Sequence, residues 1–308
     1  MDCPSGIVVI AGPTAAGKTE IAIRVAQEIS GDIVSCDSMQ IYKYMDIGSA
    51  KPTPEERARA KHYLVDEIDP SDEFSVAKYQ KLAKEYIRKI QDEGRVPIVE
   101  GGTGLYLNSL LYDMDFPGEG KDKKFRDDLF KEAELFGNMF VYDKLRAIDP
   151  EAAERIHPNN LIRVIKALEA ASTGPGMGDF NKFPRTEDYS TKLFGVTRNR
   201  DELYDRINRR VDIMVEAGLF DEVKGLLDRG LSEDDISMKG IGYKEVLAYF
   251  DGIYTYEETL DKIKQNTRHL AKRQEAWFKR YTDMIWFNLS EITEDEAVDQ
   301  IVWQIRQK

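Results

Sequence analysis

Cysteine and histidine are scarce in this chain of 308 residues. The two cysteines, Cys3 and Cys36, cannot build a disulfide framework, and His62, His157 and His269 fall at no zinc-ligand spacing. Apolar burial must therefore hold the fold, and the length suffices for one large or two smaller domains. No apolar run approaches the roughly 20 residues of a membrane span, and Met1-Asp2-Cys3-Pro4-Ser5-Gly6 lacks the basic-then-apolar plan of a secretion signal. A cytoplasmic, non-membrane protein is expected. Repeats and low-complexity tracts are missing as well. Positive charge is also in deficit: the net charge of -12 argues, on average, against a polyanionic partner. The exception runs from Lys262 to Arg280, where Lys262, Lys264, Arg268, Lys272, Arg273, Lys279 and Arg280 face one acid, Glu275. A solvated helix face and a polyanion-binding helix are both open readings of it.

What the chain does have begins with Gly12-Pro13-Thr14-Ala15-Ala16-Gly17-Lys18-Thr19, directly after the apolar run Ile7-Val8-Val9-Ile10-Ala11. Two glycines, a lysine and a hydroxyl residue at these offsets form a P-loop pattern. An unbroken apolar run before it reads as a strand buried on both faces. Behind it, Thr19 to Ile29 places Ile21, Ala22, Val25, Ala26 and Ile29 on one helical side. In that context the loop N–H groups cradle a diphosphate, Lys18 neutralises its charge, and the Thr19 hydroxyl ligates Mg²⁺, the only metal implied. A plain glycine turn is the alternative.

A second strand, Ile33-Val34-Ser35-Cys36, ends at Asp37. Ligands of open parallel sheets collect beyond the carboxyl ends of the strands, so Asp37 should face the P-loop as a base or metal partner, unless it only caps a turn. Helices are predicted over Pro54–Lys61 and Ser75–Glu93, a third strand over Val96–Val99, and then the glycine segment Glu100-Gly101-Gly102-Thr103-Gly104 before a helix over Leu105–Leu111. Three glycines at a strand end permit close approach to a ligand, or only a tight turn. From Lys123 to Ser172 the pattern is helical, broken at Gly137, Asp149-Pro150 and His157-Pro158 and closed by Thr173-Gly174-Pro175-Gly176-Met177-Gly178. Lys192–Val196 restores a strand and Leu203–Leu227 is a helix or helix pair interrupted near Gly218. Its Arg206 and Arg210 share a face that suits a phosphate, or that pairs with Asp201, Glu202 and Asp205. A helix opened by Lys239–Glu245, the basic helix, a strand over Trp286–Leu289 and a C-terminal helix complete the chain. The expected fold is α/β: a P-loop NTPase-like parallel sheet flanked by helices (residues 1–118 and 189–308) with an all-helical insertion domain (119–188).

In order, Gly12-Pro13-Thr14 through Lys18-Thr19, Asp37-Ser38-Met39-Gln40-Ile41-Tyr42, Met45-Asp46-Ile47-Gly48-Ser49-Ala50-Lys51-Pro52, Gly101-Gly102-Thr103-Gly104-Leu105-Tyr106, Gly240-Ile241-Gly242-Tyr243 and Leu270-Ala271-Lys272-Arg273-Gln274 resemble the motifs of tRNA dimethylallyltransferases, also called tRNA isopentenyltransferases. The resemblance runs from Ile7 to Leu289 and is bacterial in type, because no cysteine follows Cys36 to form the zinc finger of many eukaryotic members. It implies transfer of a prenyl group from dimethylallyl diphosphate to N6 of an adenine beside the anticodon of tRNA. The diphosphate seat would be Gly12, Pro13, Thr14, Ala15, Ala16, Gly17, Lys18 and Thr19 with Arg210 and, more weakly, Arg206; Thr19 would carry the Mg²⁺. An adenine amine is a poor nucleophile because its lone pair is delocalised, so it needs a base, and the resemblance assigns that role to Asp37. The adenine pocket would be lined by Ser38, Met39 and Gln40. Further contacts to the anticodon stem-loop would come from Thr103, Arg126, Ile162, Arg163, Lys239, Gly240, Gly242, Tyr243, Arg268, Lys272, Arg273 and Gln274. The insertion would help clamp the tRNA, and no protein partner is implied beyond a monomer.

Ala16 departs from a usual serine, Ser49 from a usual threonine, and Gly174 to Arg185 is short and glycine-rich. Three other readings share the P-loop. An isopentenyltransferase acting on free AMP, ADP or ATP would not need the insertion or the basic helix. A small-molecule kinase would leave the later motifs unexplained and lacks an arginine-rich lid. A non-catalytic nucleotide-binding module would not need Asp37.

Overall fold

The computed structural model describes residues 6–114, 116, 123–173 and 183–307. Cys3, the expected boundary at 118/119 and the breaker-rich segment from Gly174 to Gly178 lie outside the described residues. The chain forms two compact units, Met1–Leu111 with Glu187–Lys308, and Tyr112–Thr186.

The first unit is built on a parallel six-stranded sheet. Its strands are β1 (Gly6–Ala11), β2 (Gly31–Cys36), β3 (His62–Tyr63), β4 (Val96–Gly101), β5 (Ser190–Thr197) and β6 (Ile285–Asn288), in the order β3-β2-β4-β1-β5-β6. Helices cover the sheet, so β1, β2 and β4 are buried almost throughout, which is why β1 reads as an unbroken apolar run and the other two as mainly apolar ones. Four helices are threaded between the first strands: α1 (Lys18–Ile29), α2 (Pro54–Arg59), α3 (Val76–Asp92) and α4 (Gly104–Leu111). Thr53 and Glu56 cap α2 reciprocally, and Ser75 caps α3. The core joins Ile10, Ile21, Val25, Phe194, Phe287 and Ile301.

One boundary differs from the sequence reading in a way that matters. Glu100 and Gly101 belong to β4 and not to a loop after it, because the ladder continues: Glu100 pairs with Ile10 on one side and Ser35 on the other.

The second unit is all-helical among its described residues apart from one bridge. It comprises α5 (Lys123–Phe136), α6 (Asn138–Ile148), α7 (Pro150–Arg155) and α8 (Leu161–Thr173). Its helices break where the breakers stand, and the Asp149 side chain caps α7. A separate core of Leu129, Val141, Leu145, Val164, Ile165 and Leu168 holds it together. Tyr112 and Arg185 form an antiparallel bridge that brings its two ends side by side.

The first unit then resumes with β5 and ends in α9 (Arg200–Glu216), α10 (Leu219–Asp228), α11 (Tyr243–Phe250), α12 (Tyr256–Phe278) and α13 (Glu294–Arg306). The predicted interruption near Gly218 is real: this residue is left-handed (φ 102°) and starts α10. Lys239 ends a short 3₁₀ turn instead of opening α11, whose first residue is Tyr243. Lys279 and Arg280 lie beyond the end of α12, so the basic run outlasts the basic helix.

Candidate active site

The loop between β1 and α1 emerges between the ends of β4 and β5, at the middle of the sheet. It passes so close to β5 that a Cβ on Gly12 would sit 2.1 Å from the Val196 carbonyl oxygen. Only glycine fits there. The half-buried Lys18 folds back, its Nζ donating to the Pro13 carbonyl at 3.0 Å. Burial holds its pKa below the ordinary lysine value, with nearby Arg210 adding to the effect and Glu100 and Asp37 opposing it. Arg206 props the same loop by donating from Nε to the Ala15 carbonyl at 2.9 Å. Arg210 lies one turn further along α9, its pKa lowered by burial and by Arg206, and it feels the charges of Glu100 and Asp37. Lys18 and Arg206 thus bond to the loop, and Arg210 adds its charge beside Lys18.

Gln274 has a role the sequence reading did not foresee. Its Oε1 accepts from the Thr14 N–H at 2.9 Å while its Nε2 donates to the Gly102 carbonyl at 3.0 Å, so α12 ties the P-loop to the end of β4. Glu100 was missed too. It is buried, its carboxylate accepts from the Thr19 hydroxyl, and burial pushes its pKa up to about 7 against the pull of Lys18. The only trace of it in the sequence is one acid in an apolar strand.

Asp37 stands one residue beyond β2. Its Oδ1 accepts from the Met39 N–H at 2.8 Å and the Gln40 N–H at 3.3 Å, a turn-capping arrangement, while its charge acts on Lys18 and Arg210. Thr103 Oγ1 accepts from the Ser38 N–H at 3.1 Å and joins the two strand ends. Two expectations need correction. Gln40 is buried and its amide is consumed, bonded to Ser35 Oγ and to the Ala50 carbonyl. Tyr243 is fully buried, its hydroxyl donating to Glu222 Oε1 at 2.8 Å. Neither side chain is presented to a ligand. Met39 rests instead on Gly240, its Cε 2.5 Å from where a Cβ would stand.

The loop from Met45 to Pro52 is pinned by a carboxylate far away in sequence. Glu222 of α10 accepts from three successive N–H groups, those of Asp46 (2.8 Å), Ile47 (2.7 Å) and Gly48 (2.9 Å). Gly48 lacks a side chain because the Tyr243 ring lies within 2.7 Å of where its Cβ would be. Lys51 braces the same loop from inside through the Tyr42 carbonyl, Asp46 and Asp66. Between this loop and α9 opens a cavity of about 380 Å³, with Arg210, Ile213, Met214, Ile47 and Ala50 in its wall.

The remaining candidates stand on other elements. Within the basic run, Lys264 pairs with Asp212 at 2.5 Å, Arg268 donates to Asn208 at 2.6 Å and Lys279 pairs with Glu275 at 2.8 Å. Lys272 and Arg273 are exposed, as is Lys239. Gly242, with φ 97°, precedes α11. In the helical unit, Arg126 pairs with Glu169 at 2.7 Å, Ile162 is exposed, and the Arg163 N–H bonds to Asn160. Among the described residues no group of three or more His, Cys, Asp or Glu could hold a metal by itself.

A family model described as IPP transferase matches residues 40–281. The chain is 51% identical over 286 residues to the tRNA dimethylallyltransferase of Alkaliphilus oremlandii (strain OhILAs), covering 92% of this chain and 91% of that one. To the enzyme of the same name from Clostridioides difficile (strain 630) it is 47% identical over 304 residues, 97% of each. Among solved structures, the full-length tRNA isopentenylpyrophosphate transferase of Bacillus halodurans matches with a TM-score of 0.73 at 42% identity, over 98% of this chain and 95% of that one. A eukaryotic dimethylallyltransferase acting on tRNA matches with a TM-score of 0.83 at 26% identity, over 98% and 80%.

Proposed function

Since the chain belongs to the IPP transferase family, we propose that it transfers a dimethylallyl group from dimethylallyl diphosphate to N6 of an adenosine beside the anticodon of tRNA, with the P-loop as the diphosphate seat and Asp37 as the base. The observation that carries this reading is the meeting of Asp37, Lys18 and Arg210 at the strand ends. In the reaction the N6 lone pair forms a bond to the allylic carbon, the C–O bond breaks, and its electron pair leaves with the diphosphate. Asp37 takes the N6 proton. Lys18, Arg210 and the loop N–H groups stabilise the charge that grows on the leaving group, each such donor contributing about 3 kcal/mol by analogy with oxyanion holes. Arg206 and Gln274 hold the loop in shape for this.

Mg²⁺ fits the donor set. It is usually bound through one or two carboxylates, substrate phosphates and water, and the Thr19 hydroxyl with a buried carboxylate beside it answers that description. Once bound it would neutralise diphosphate charge. Met39, Ser38 and Thr103 border the adenine, and a base displaced from an RNA loop reaches such a pocket at modest cost. Exposed Lys239, Lys272 and Arg273, with Arg126, Ile162 and Arg163 of the helical insertion, contact the stem-loop. The enzyme acts as a monomer in the cytoplasm; among the described residues no helix is long and apolar enough to cross a membrane.

Asp37→Asn tests this reading more cleanly than alanine, because the amide oxygen keeps the bonds to Met39 and Gln40 while losing basicity. Turnover should fall by about a hundredfold or more, with tRNA affinity unchanged. Near-normal turnover would remove Asp37 from the mechanism.

A further inference from the structure

Glu100 sits on β4, the strand between the one that carries Asp37 and the one that carries the P-loop, in register with Ser35 and Ile10. Only 4% of it is exposed. A carboxylate so deep in an apolar sheet is costly unless it is paired or binds a metal. Its neighbours are the Thr19 hydroxyl, which donates to it, and the Lys18 ammonium, which acts on it by charge, the same two groups that the diphosphate would engage. When a diphosphate enters the loop, Lys18 is shared with it and two anions face each other across Thr19. A divalent cation between them removes that repulsion. Mg²⁺ in phosphate sites commonly takes one or two protein carboxylates besides the phosphate oxygens, so it needs no protein cluster of its own.

We propose that Glu100 is the protein carboxylate of the divalent-cation site, holding with Thr19 the metal ion that enters on the diphosphate. The inference rests on the reading that the P-loop binds the diphosphate. It also explains why the Thr19 hydroxyl donates inward to Glu100: its lone pairs are then left for the metal. Asp37 remains free for the proton, and the two carboxylates divide the work, one on the metal and one on the amine.

The experiment follows Mn²⁺ by electron paramagnetic resonance in the presence of inorganic pyrophosphate, for the unaltered full-length protein, Glu100→Gln and Glu100→Asp. Pyrophosphate binding in EDTA is measured beside it by calorimetry. The unaltered protein should retain Mn²⁺ more tightly than pyrophosphate alone does. Glu100→Gln should weaken that retention by about tenfold or more, while pyrophosphate binding in EDTA is kept or tightened because a negative charge has gone. Glu100→Asp, which keeps the charge, should recover part of the loss and carries the comparison if the glutamine variant fails to fold. Unchanged Mn²⁺ retention in folded Glu100→Gln, with pyrophosphate still bound, would overturn the assignment of Glu100 alone. Failure of the unaltered protein to bind pyrophosphate with Mg²⁺ present would instead overturn the P-loop reading beneath it.

Discussion

Cys36 closes β2 next to the proposed base, and burial pushes its thiol up to about 12 from an ordinary value of 9.0. The sign follows directly. Between those values the unfolded chain releases a proton that the folded chain keeps, so rising pH favours unfolding through this group, and at pH 8 the folded protein has almost no thiolate there. Iodoacetamide at pH 8 should leave Cys36 unmodified in the folded protein and label it in urea, as read by peptide mass mapping; labelling of the folded protein would contradict the burial. At this scale the sequence disclosed what is contiguous. The P-loop and Asp37 were legible because each is a short pattern in an expected context. Glu100 and the loop-tying role of Gln274 were not, since one acquires its meaning from strand register and the other from a contact across 260 positions.

Between elements, two links deserve a test. Glu222 gathers three backbone N–H groups and the Tyr243 hydroxyl onto one carboxylate, so Glu222→Ala leaves four donors without their acceptor. The loss should be about 2–3 kcal/mol in urea unfolding, because hydrogen bonds to charged acceptors are the strong ones. A change below about 0.5 kcal/mol, the range of ordinary surface substitutions, would mean that the loop does not depend on it. On α12, charge reversal of Lys272 and Arg273 should reduce the salt dependence of tRNA affinity by about one to two phosphate equivalents. An identical slope would return the helix to a solvated face. The presence of a basic helix was legible from the charge run Lys262 to Arg280, but its start at Tyr256 was not. How its charges divide was not: Lys264 and Arg268 are turned to α9 by packing, which leaves Lys272 and Arg273 at the surface.

For the molecule as a whole, the parallel sheet and the helical insertion could be anticipated from apolar runs, breakers and the absence of strand-like segments between Lys123 and Ser172. The bridge of Tyr112 with Arg185 within the second unit could not, because these residues meet only through the fold. The sheet alone does not decide the chemistry either, since kinases share the strand, loop and helix. What separates them is the acceptor. The most direct measurement combines purified protein, Mg²⁺ and dimethylallyl diphosphate with an anticodon stem-loop RNA, AMP or ATP, and reads the products by mass spectrometry. The account predicts an isopentenyl mass gain on the RNA alone. Gain on a free nucleotide, or ATP consumption without any prenyl transfer, would contradict it.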